Sequence, residues 1–201
     1  EGVALAVFPE LCLTGYSAED LFFSEALMAD TLNALQHLCT CDMPLLFVGA
    51  PWRLCDGRLI NCAVAIGNHR VLGMIPKTFL PNYSEYYEQR WFASGASVNE
   101  TEVHDALGTF HIRVDQLFRL GDALVGAEIC EDLWAPVNPG THAALAGSNI
   151  VCNLSASNEL VSKSDYREDL VRMTSAKSLC AYVYAGAGVM ESSKDVVFGG
   201  H

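Results

Sequence analysis

The length, composition and charge of the chain exclude several classes of protein. Its 201 residues fit one globular domain, and 51% hydrophobic with 18% charged residues are typical of a compact fold rather than a disordered segment. A formal net charge of −12 argues against binding to the phosphate backbone of nucleic acids. The apolar runs are all shorter than the roughly 20 residues that a membrane-spanning helix needs, so no membrane partner is expected.

The cysteines and histidines predict neither a metal site nor disulfides. The eight cysteines form no CxxC pair, and the six histidines show no metal-ligand spacing. Several cysteines lie in apolar segments such as INCAVAIG and NIVCNLS, where a thiol packs as a small hydrophobic group. Cysteine usage of this kind is typical of a reducing compartment, so we expect a cytoplasmic protein. The start, EGVALAVFPE, carries no signal-peptide pattern and is typical of a fragment that begins inside a strand.

Strands and helices alternate in the first half of the chain. VALAVF predicts a continuous buried strand, which is followed by a polar turn and by a helix over residues 19–39. PLLFVGAPW predicts a second buried strand, and LINCAVAIG and VLGMIPK predict a hairpin joined at Asn68–His69. Residues 81–93 are predicted as a long aromatic and polar loop with one helical turn. The apolar positions of the helix at helical spacing are Leu21, Met28, Leu32, Leu35 and Leu38.

The second half continues this pattern. GTFHIRV, DALVGAEIC and NIVCNLS predict strands, and a helix is predicted over residues 139–147. Ser164 is predicted to cap a helix with Tyr166, Leu170, Met173 and Ala176 on one face. AYVYAGAG predicts the last buried strand, and DVVFGGH the beginning of another. Because helices alternate with strands that also pair as hairpins, we predict an α/β fold with a mixed sheet.

Three reactive side chains each follow directly after a hydrophobic strand. Glu10 follows VALAVFP, Lys77 follows VLGMIP, and Cys130 follows DALVGAEI. Ligands in open α/β folds gather beyond strand ends, where side chains leave the core on rigid supports. Taken alone, such a cysteine is commonly a buried hydrophobic residue, and such a lysine or glutamate a solvated cap. The repeated placement favours one shared site.

The neighbours of Cys130 make a cation necessary if its thiol is to react. Acidic residues crowd around the thiol in GAEICEDLWAP, and nearby negative charge raises the pKa of a thiol. Lys77 is the expected cation, which would also stabilise negative charge on a substrate oxygen. Glu10 is the expected base, which would take the thiol proton and pass it to a leaving amine. The acidic neighbours are Glu128, Glu131 and Asp132.

Three segments of the chain resemble the motifs of the nitrilase, or carbon–nitrogen hydrolase, superfamily, whose members carry a Glu–Lys–Cys triad. The glutamate motif is similar to FPELCLTGYSAEDLFF, the lysine motif to PKTFLPNYSEYYEQRWF, and the cysteine motif to GAEICEDLWAP. With NLSASNE and KDVVFGGH, these versions look most like the glutaminase domains of glutamine-dependent NAD synthetases. The resemblance covers essentially the whole chain. It matches Glu10 to the base, Lys77 to the oxyanion-stabilising lysine and Cys130 to the nucleophile.

The same resemblance implies further residues around the triad. Tyr16 and Tyr83 match tyrosines that line the substrate pocket, and Glu88 matches a second glutamate that supports the lysine region and contacts the substrate. Trp134 takes the aromatic position that follows the cysteine. Simple packing is the alternative interpretation of Tyr16 and Trp134.

Two further residues match positions that bind the head group of glutamine. These are Ser157 and Lys163, and some relatives carry arginine where Lys163 stands, so the contact here would be that of a point charge. A solvated loop charge is the alternative for Lys163. The backbone N–H of Glu131 would help Lys77 to hold the oxyanion.

The resemblance also implies a fold, a domain organisation and an activity. The fold would be a four-layer α-β-β-α sandwich with mixed sheets, formed by one carbon–nitrogen hydrolase domain over residues 1–201. Relative to this branch the chain is truncated at both ends and lacks the synthetase domain. The implied activity is hydrolysis of the glutamine side-chain amide through a cysteine thioester, with the ammonia used in ATP-dependent synthesis of NAD from deamido-NAD. The amidase domain would need no cofactor, whereas ATP and magnesium belong to the synthetase domain. The implied partners are L-glutamine, the synthetase domain in cis and further copies of the protein in a homo-oligomer.

Two other functions remain open at this point. A stand-alone amidase, nitrilase or carbamoylase would carry the same triad, although CEDLW and SASNE argue against it. An inactive scaffold that only binds a partner is a different class, and it would have no need to keep Glu10, Lys77 and Cys130 together.

Overall fold

Two β-sheets form the centre of the molecule in the computed structural model, which describes residues 2–200. The first sheet has six strands in the order β1-β2-β3-β4-β6-β5, and the second has four in the order β10-β9-β8-β7. Both contain parallel and antiparallel pairs, so the predicted mixed character is confirmed. The strands are β1 (Leu5–Val7), β2 (Leu45–Arg53), β3 (Leu59–Gly67), β4 (Arg70–Pro76), β5 (Thr101–Asp105), β6 (Gly108–Ile112), β7 (Phe118–Leu120), β8 (Ala123–Ile129), β9 (Ile150–Ser155) and β10 (Ala181–Gly186). The helices are α1 (Glu25–Leu38), α2 (Pro139–Leu145) and α3 (Lys163–Ser178).

The side chains of β2 show how the layers are stacked. Leu45 and Phe47 point towards the second sheet and belong to the core between the sheets. Leu46 and Val48 point the other way, into a cluster that includes Leu35 of α1. On the far side, α2 packs against β8 and α3 against β10. The order helix, sheet, sheet, helix confirms the predicted α-β-β-α sandwich.

The hairpin between β3 and β4 confirms the predicted turn. Every residue of β3 is buried, as expected for a strand covered on both faces. Asn68 and His69 have φ values of 51° and 59°. Two successive positive φ values are what a two-residue hairpin turn requires, because they match the twist of the strands. The short connection directs the end of β4 towards the site.

The predicted first helix begins later in the structure than the sequence pattern indicates. Residues Tyr16–Phe23 form an irregular 3₁₀ segment, in which Glu19 has φ 51°, and α1 starts only at Glu25. Phe22 turns into the core and packs on Trp91, while Leu21 is exposed. Packing of Phe22 therefore overrides the helical spacing that includes Leu21.

The third helix corrects a second prediction. It begins at Lys163 after Ser162, whose φ is 66°, so Ser164 lies inside the first turn and does not cap it. The predicted apolar face is largely exposed, with Tyr166 61% and Met173 65% exposed. The buried positions of α3 are instead Arg167 and Thr174.

The sheet edges hold the remaining differences. β10 is a partly exposed edge strand rather than a buried one, and β1 is likewise an edge. DVVFGGH predicts the beginning of a strand, but residues 195–200 form none, and His201 lies outside the described residues. The sequence pattern does not predict β5 and β7, because TEVHD is mostly polar and FRL is only three residues long. Within residues 2–200, no helix is long and apolar enough to cross a membrane.

Candidate active site

Three strand ends from the two sheets meet at the site. Glu10 follows β1 and Lys77 follows β4 in the first sheet, whereas Cys130 follows β8 in the second. Because the sheets pack face to face, groups from both can approach one another. All three side chains are buried.

The ammonium group of Lys77 lies between two carboxylates. Its Nζ atom donates hydrogen bonds to Oε1 of Glu10 at 2.6 Å and to Oε1 of Glu88 at 2.7 Å. Burial by itself lowers the pKa of Lys77, but the charges of Glu10 and Glu88 outweigh it and raise the pKa well above its ordinary value. The lysine is therefore a permanent cation in a region closed to water.

The carboxylate of Glu10 is held at both oxygens. Its Oε1 accepts a hydrogen bond from Asn61 Nδ2 at 2.7 Å, and its Oε2 accepts one from the backbone N–H of Ala156 at 3.0 Å. Gly49 of β2 lies directly behind: a Cβ atom there would come within 2.2 Å of the backbone nitrogen of Leu11. The backbone of the glutamate turn is thus pressed against β2, which fixes where the carboxylate points.

Glu88 is a second buried carboxylate beside the lysine. Tyr16 donates its hydroxyl hydrogen to Glu88 Oε1 at 2.7 Å, whereas Oε2 has no hydrogen-bond partner. Burial raises the pKa of Glu88 to about 7, against the lowering effect of Lys77. Tyr16, predicted to line the substrate pocket, is itself buried and contacts the second glutamate.

The thiol of Cys130 faces this charged group. Its pKa is raised far above the ordinary value, first by burial and then by the charge of Glu10, while Lys77 and the hydroxyl of Ser155 act to lower it. At rest the sulfur is therefore protonated, and a base is needed to make it nucleophilic. The residue has φ 46°, and its N–H donates to Asn153 Oδ1 at 3.1 Å.

Two of the three acidic residues near Cys130 in sequence, Glu128 and Asp132, are bonded to groups other than the thiol. Glu128 lies on the outer face of β8 and accepts hydrogen bonds from Gly140 N–H and from the hydroxyl of Tyr182. The carboxylate of Asp132 accepts hydrogen bonds from the backbone N–H groups of Thr78 and Phe79, which follow Lys77. The prediction that the sequence neighbours crowd the thiol is therefore wrong for Glu128 and Asp132, and the carboxylates that raise the pKa of the thiol are Glu10 and Glu88.

The other predicted residues form a rim around the site, in which Tyr83 is exposed, Trp134 and Lys163 are partly exposed and Ser157 is buried. Tyr83 is 56% exposed and donates its hydroxyl hydrogen to the carboxylate of Glu131 at 2.9 Å. Lys163 lies 5.4 Å from the centre of the Trp134 ring, and its ammonium group contacts the side chain of Asn158. Partial burial lowers the pKa of Lys163. Ser157 is buried, two residues after the hydroxyl of Ser155 that faces the thiol.

A model of the carbon–nitrogen hydrolase family matches residues 1–201. The chain belongs to this family. A glutamine-dependent NAD(+) synthetase of Mycobacterium tuberculosis is 41% identical over 210 residues, which cover 100% of this chain and 30% of the relative. A synthetase of the same name from Aquifex aeolicus is 29% identical and covers 98% of this chain and 31% of the relative. The chain thus spans about a third of the length of the curated relatives it matches.

Solved structures agree with the family assignment. A glutamine-dependent NAD(+) synthetase from Cytophaga hutchinsonii has a TM-score of 0.81 and 32% identity, over 92% of this chain and 30% of that one. A nitrilase-superfamily amidase from Nesterenkonia has a TM-score of 0.73 at 16% identity, over 98% of this chain and 67% of that one, which shows a shared fold. Among known structures, this carbon–nitrogen hydrolase therefore resembles both synthetases and amidases.

Several residues that hold the site are not among the predicted ones. Asn61 lies inside the apolar strand LINCAVAIG and Asn153 inside the apolar part of NIVCNLS, and each binds a group of the site. A buried amide within a strand needs a partner, so this pattern is the available signal. Asp132 gives no such signal, because it lies among other polar residues, and neither does Tyr86, whose hydroxyl oxygen accepts the N–H of Asn158 at 2.8 Å. Among residues 2–200, no group of three or more His, Cys, Asp or Glu could hold a metal ion.

Proposed function

We propose that this chain hydrolyses the side-chain amide of glutamine through a thioester on Cys130 and supplies the ammonia to a synthetase. The observation that carries the proposal is the buried group of Glu10, Lys77 and Glu88 facing the Cys130 thiol. It combines a nucleophile, a base and a cation in one water-poor region. The choice of glutamine over other amides is supported by the names of the relatives that are 41% and 32% identical.

The first half of the reaction forms the thioester. Glu10 accepts the proton of the Cys130 thiol, and the sulfur attacks the amide carbon of glutamine. The oxyanion that forms is stabilised by the Lys77 ammonium and by the backbone N–H of Glu131, a kind of contact that is worth roughly 3–4 kcal/mol of barrier per donor. When the C–N bond breaks, the proton held by Glu10 passes to the amine, and ammonia leaves.

The second half returns the cysteine to its resting state. Glu10 takes a proton from a water molecule, which attacks the thioester carbon. The C–S bond breaks, the proton returns to sulfur, and glutamate leaves. Because one water is consumed and one ammonia is released, glutamine and water give glutamate and ammonia.

The rim residues are proposed to hold the substrate during both halves. Lys163 would attract the negatively charged end of the glutamine head group, and Ser157 would donate a hydrogen bond to it. Tyr83 and Trp134 would form the walls of the entrance, with Tyr16 and Glu88 at the inner end. The half-buried position of Lys163 over Trp134 supports this role, since partial desolvation strengthens the attraction of an anion.

In the wider protein, the ammonia would be consumed by an ATP-dependent synthetase. We propose that a synthetase domain in cis binds ATP and magnesium and aminates the adenylated form of deamido-NAD, whereas the amidase step itself uses no cofactor. The eight free cysteines support a reducing, cytoplasmic setting. A homo-oligomer is proposed as the working assembly.

The test measures ammonia and glutamate released from glutamine by the intact protein. Wild type should hydrolyse glutamine, and Cys130→Ala should release none above background. Cys180→Ala is the matched control: Cys180 is a buried cysteine directly before β10, and its substitution is expected to leave turnover unchanged. A glutamine-analogue chloromethyl ketone should add its mass to the Cys130 peptide alone. Normal hydrolysis by Cys130→Ala would contradict the proposal.

A second assay distinguishes the glutaminase from a stand-alone amidase. The intact protein is offered glutamine, propionamide and propionitrile at equal concentrations. We expect glutamine to be hydrolysed at least about 100-fold faster, because the rim can recognise a charged head group that the other two compounds lack. Preference for an aliphatic amide or nitrile would favour the amidase interpretation.

A further inference from the structure

Asp132 is a buried carboxylate that the proposed reaction does not use. It is 1% exposed and lies two residues after Cys130. Its Oδ1 atom accepts hydrogen bonds from the backbone N–H groups of Thr78 at 3.1 Å and Phe79 at 2.8 Å. Its Oδ2 atom accepts one from the N–H of Ile129 at 2.9 Å. One side chain therefore joins the residues that follow Lys77 to the residues that flank Cys130.

These contacts exceed what the cysteine turn needs for itself. A bond to Ile129 alone would close the turn within its own segment, as Asp commonly does near its own backbone. The two bonds to Thr78 and Phe79 reach a segment more than 50 positions earlier in the chain. Burial of a carboxylate is unfavourable, and it raises the pKa of Asp132 to about 8, while the N–H groups of Phe79 and Ile129 act to lower it. A buried carboxylate thus lowers the stability of the fold, so its presence at Asp132 indicates a role beyond packing.

The two segments that Asp132 joins come from different sheets. Lys77 ends a strand of the first sheet, and its carbonyl is also held by the N–H of Gly95 at 2.7 Å. Cys130 ends a strand of the second sheet, with its N–H on Asn153. Each end is thus fixed to its own surroundings, and Asp132 bridges them at the level of the reacting groups.

We propose that Asp132 is a positioning residue, which sets the distance between the Lys77 ammonium and the Cys130 thiol by tying together the two strand ends that carry them. The kcat measurement described below rests on the proposed function, because it uses glutamine hydrolysis. The measurement of thiol reactivity does not. The charged groups that act on the thiol are Glu10, Lys77 and Glu88, together with Lys163 at the start of α3. The titratable hydroxyls around it are those of Tyr16, Tyr83, Tyr86 and Tyr184. Withdrawal of Lys77 removes the cation that lies between the two carboxylates, so the thiolate becomes harder to form.

The test compares Asp132→Asn and Asp132→Ala with wild type in the intact protein. Asparagine keeps the size of the side chain but has one acceptor oxygen, so its NH₂ group must oppose an N–H on one of the two segments. Alanine removes all three bonds. We expect kcat for glutamine to fall about 10-fold in Asp132→Asn and about 100-fold in Asp132→Ala, with KM changed less than about 3-fold, because misplacement of reacting groups by about 1 Å has effects of this size.

A destabilising control separates positioning from simple loss of stability. Asn138 is also buried and its Oδ1 accepts the N–H of Thr141 at 2.7 Å, at the start of α2, but it contacts none of the residues proposed to react. Asn138→Ala should lower the melting temperature, as loss of a helix cap does, and leave kcat per folded enzyme unchanged. The Asp132 variants should lose kcat even at temperatures where they are fully folded.

The second readout is independent of glutamine. The rate at which iodoacetamide alkylates Cys130 is followed by peptide mass spectrometry as a function of pH. We expect the midpoint of this profile to move to higher pH in Asp132→Asn, and not in Asn138→Ala. If wild type fails to hydrolyse glutamine but the midpoint still moves, the proposed function fails and the positioning role stands. If folded Asp132→Asn keeps both the wild-type kcat and the wild-type midpoint, the positioning role is overturned.

Discussion

The inner group and the outer rim of the site differ in how they are built. In the inner group, formed by Glu10, Lys77 and Glu88, each polar side chain is buried and bonded to another side chain at 2.6–2.7 Å. In the rim, Tyr83 is largely exposed and Lys163 is only half-buried. The bonds within the inner group restrain its side chains, whereas the exposed side chains of the rim are less restrained.

This difference separates two tasks within one site. Groups that exchange protons and stabilise an oxyanion gain from fixed geometry and exclusion of water, because charges act more strongly there. Groups that admit and release a substrate need to move. We therefore expect changes in the inner group to act on kcat and on stability, and changes in the rim to act on KM.

The largest effect is expected from Lys77→Met. Loss of the cation leaves two buried carboxylates facing each other, which should destabilise the fold by roughly 3–5 kcal/mol. It should also lower kcat/KM by at least about 1000-fold, since the oxyanion loses its charged donor. Denaturant unfolding and glutamine assays measure both. Lys177→Met, on the exposed face of α3, is the control, and a loss of less than about 10-fold in Lys77→Met would contradict the role of the cation.

Glu88→Gln tests the inner group through pH. The pKa of Glu88 is raised from 4.5 to about 7 in the folded state, so the fold favours its neutral form. Its contribution to stability is therefore fully present below pH 4.5 and is lost as the pH rises through about 7. Between pH 5 and pH 8, the free energy of unfolding of wild type should fall relative to that of Glu88→Gln, and denaturant unfolding at each pH measures the difference.

The control for this pH experiment is Glu168→Gln, an exposed glutamate of α3. The free energy of unfolding of Glu168→Gln should change with pH in parallel with that of wild type. Equal pH dependence of wild type and Glu88→Gln would show that the charge state of Glu88 does not contribute to stability.

Tyr16→Phe should have a smaller effect on the same group. It removes the hydroxyl that donates to Glu88, at 2.7 Å, and leaves the ring in place. Loss of one hydrogen bond to a charged group should lower the free energy of unfolding by about 1.5–3 kcal/mol. We also expect kcat to fall about 10-fold while KM stays nearly constant. A rise in KM with unchanged kcat would instead identify Tyr16 as a direct substrate contact of the kind the family resemblance implies.

Lys163→Met tests the rim. It removes a charge that lies over Trp134 without touching the inner group. We expect KM for glutamine to rise about 10-fold with kcat changed less than about 2-fold, because the contact is made equally in the ground state and the transition state. Lys163→Arg keeps the charge and should restore much of the binding. A fall in kcat alone would remove the distinction between the inner group and the rim.

Two members of the inner group, Glu10 and Lys77, are predictable from sequence together with the cysteine that they face, because each of Glu10, Lys77 and Cys130 directly follows an apolar strand. Such a position combines a rigid support with an exit from the core. Glu88 is found only through the family resemblance, since a glutamate in an irregular loop carries no periodic signal. The sandwich is also implied by that resemblance, whereas the residue pattern alone predicts an α/β class with a mixed sheet.

What could not be predicted depends on contacts between distant parts of the chain. Asp132 looks like one of several acidic residues near a cysteine, and its partners are backbone N–H groups that no side-chain pattern reveals. Leu21 lies at helical spacing from the apolar residues of α1. The packing of Phe22 nevertheless places Leu21 in the irregular 3₁₀ segment that precedes the helix. On α3, the apolar row with Tyr166 and Met173 predicts a buried face, while the structure buries Arg167 instead.

The left-handed backbone of Cys130 sets the needs of the fold against those of the reaction. A residue with a side chain at φ 46° costs about 1–2 kcal/mol that glycine does not incur. We expect Cys130→Gly to unfold at a higher temperature than Cys130→Ala, although both lack the sulfur. Glycine is thus the amino acid that best fits the backbone at this position, but it has no thiol. Selection for thermal stability alone would therefore favour a protein without the proposed nucleophile.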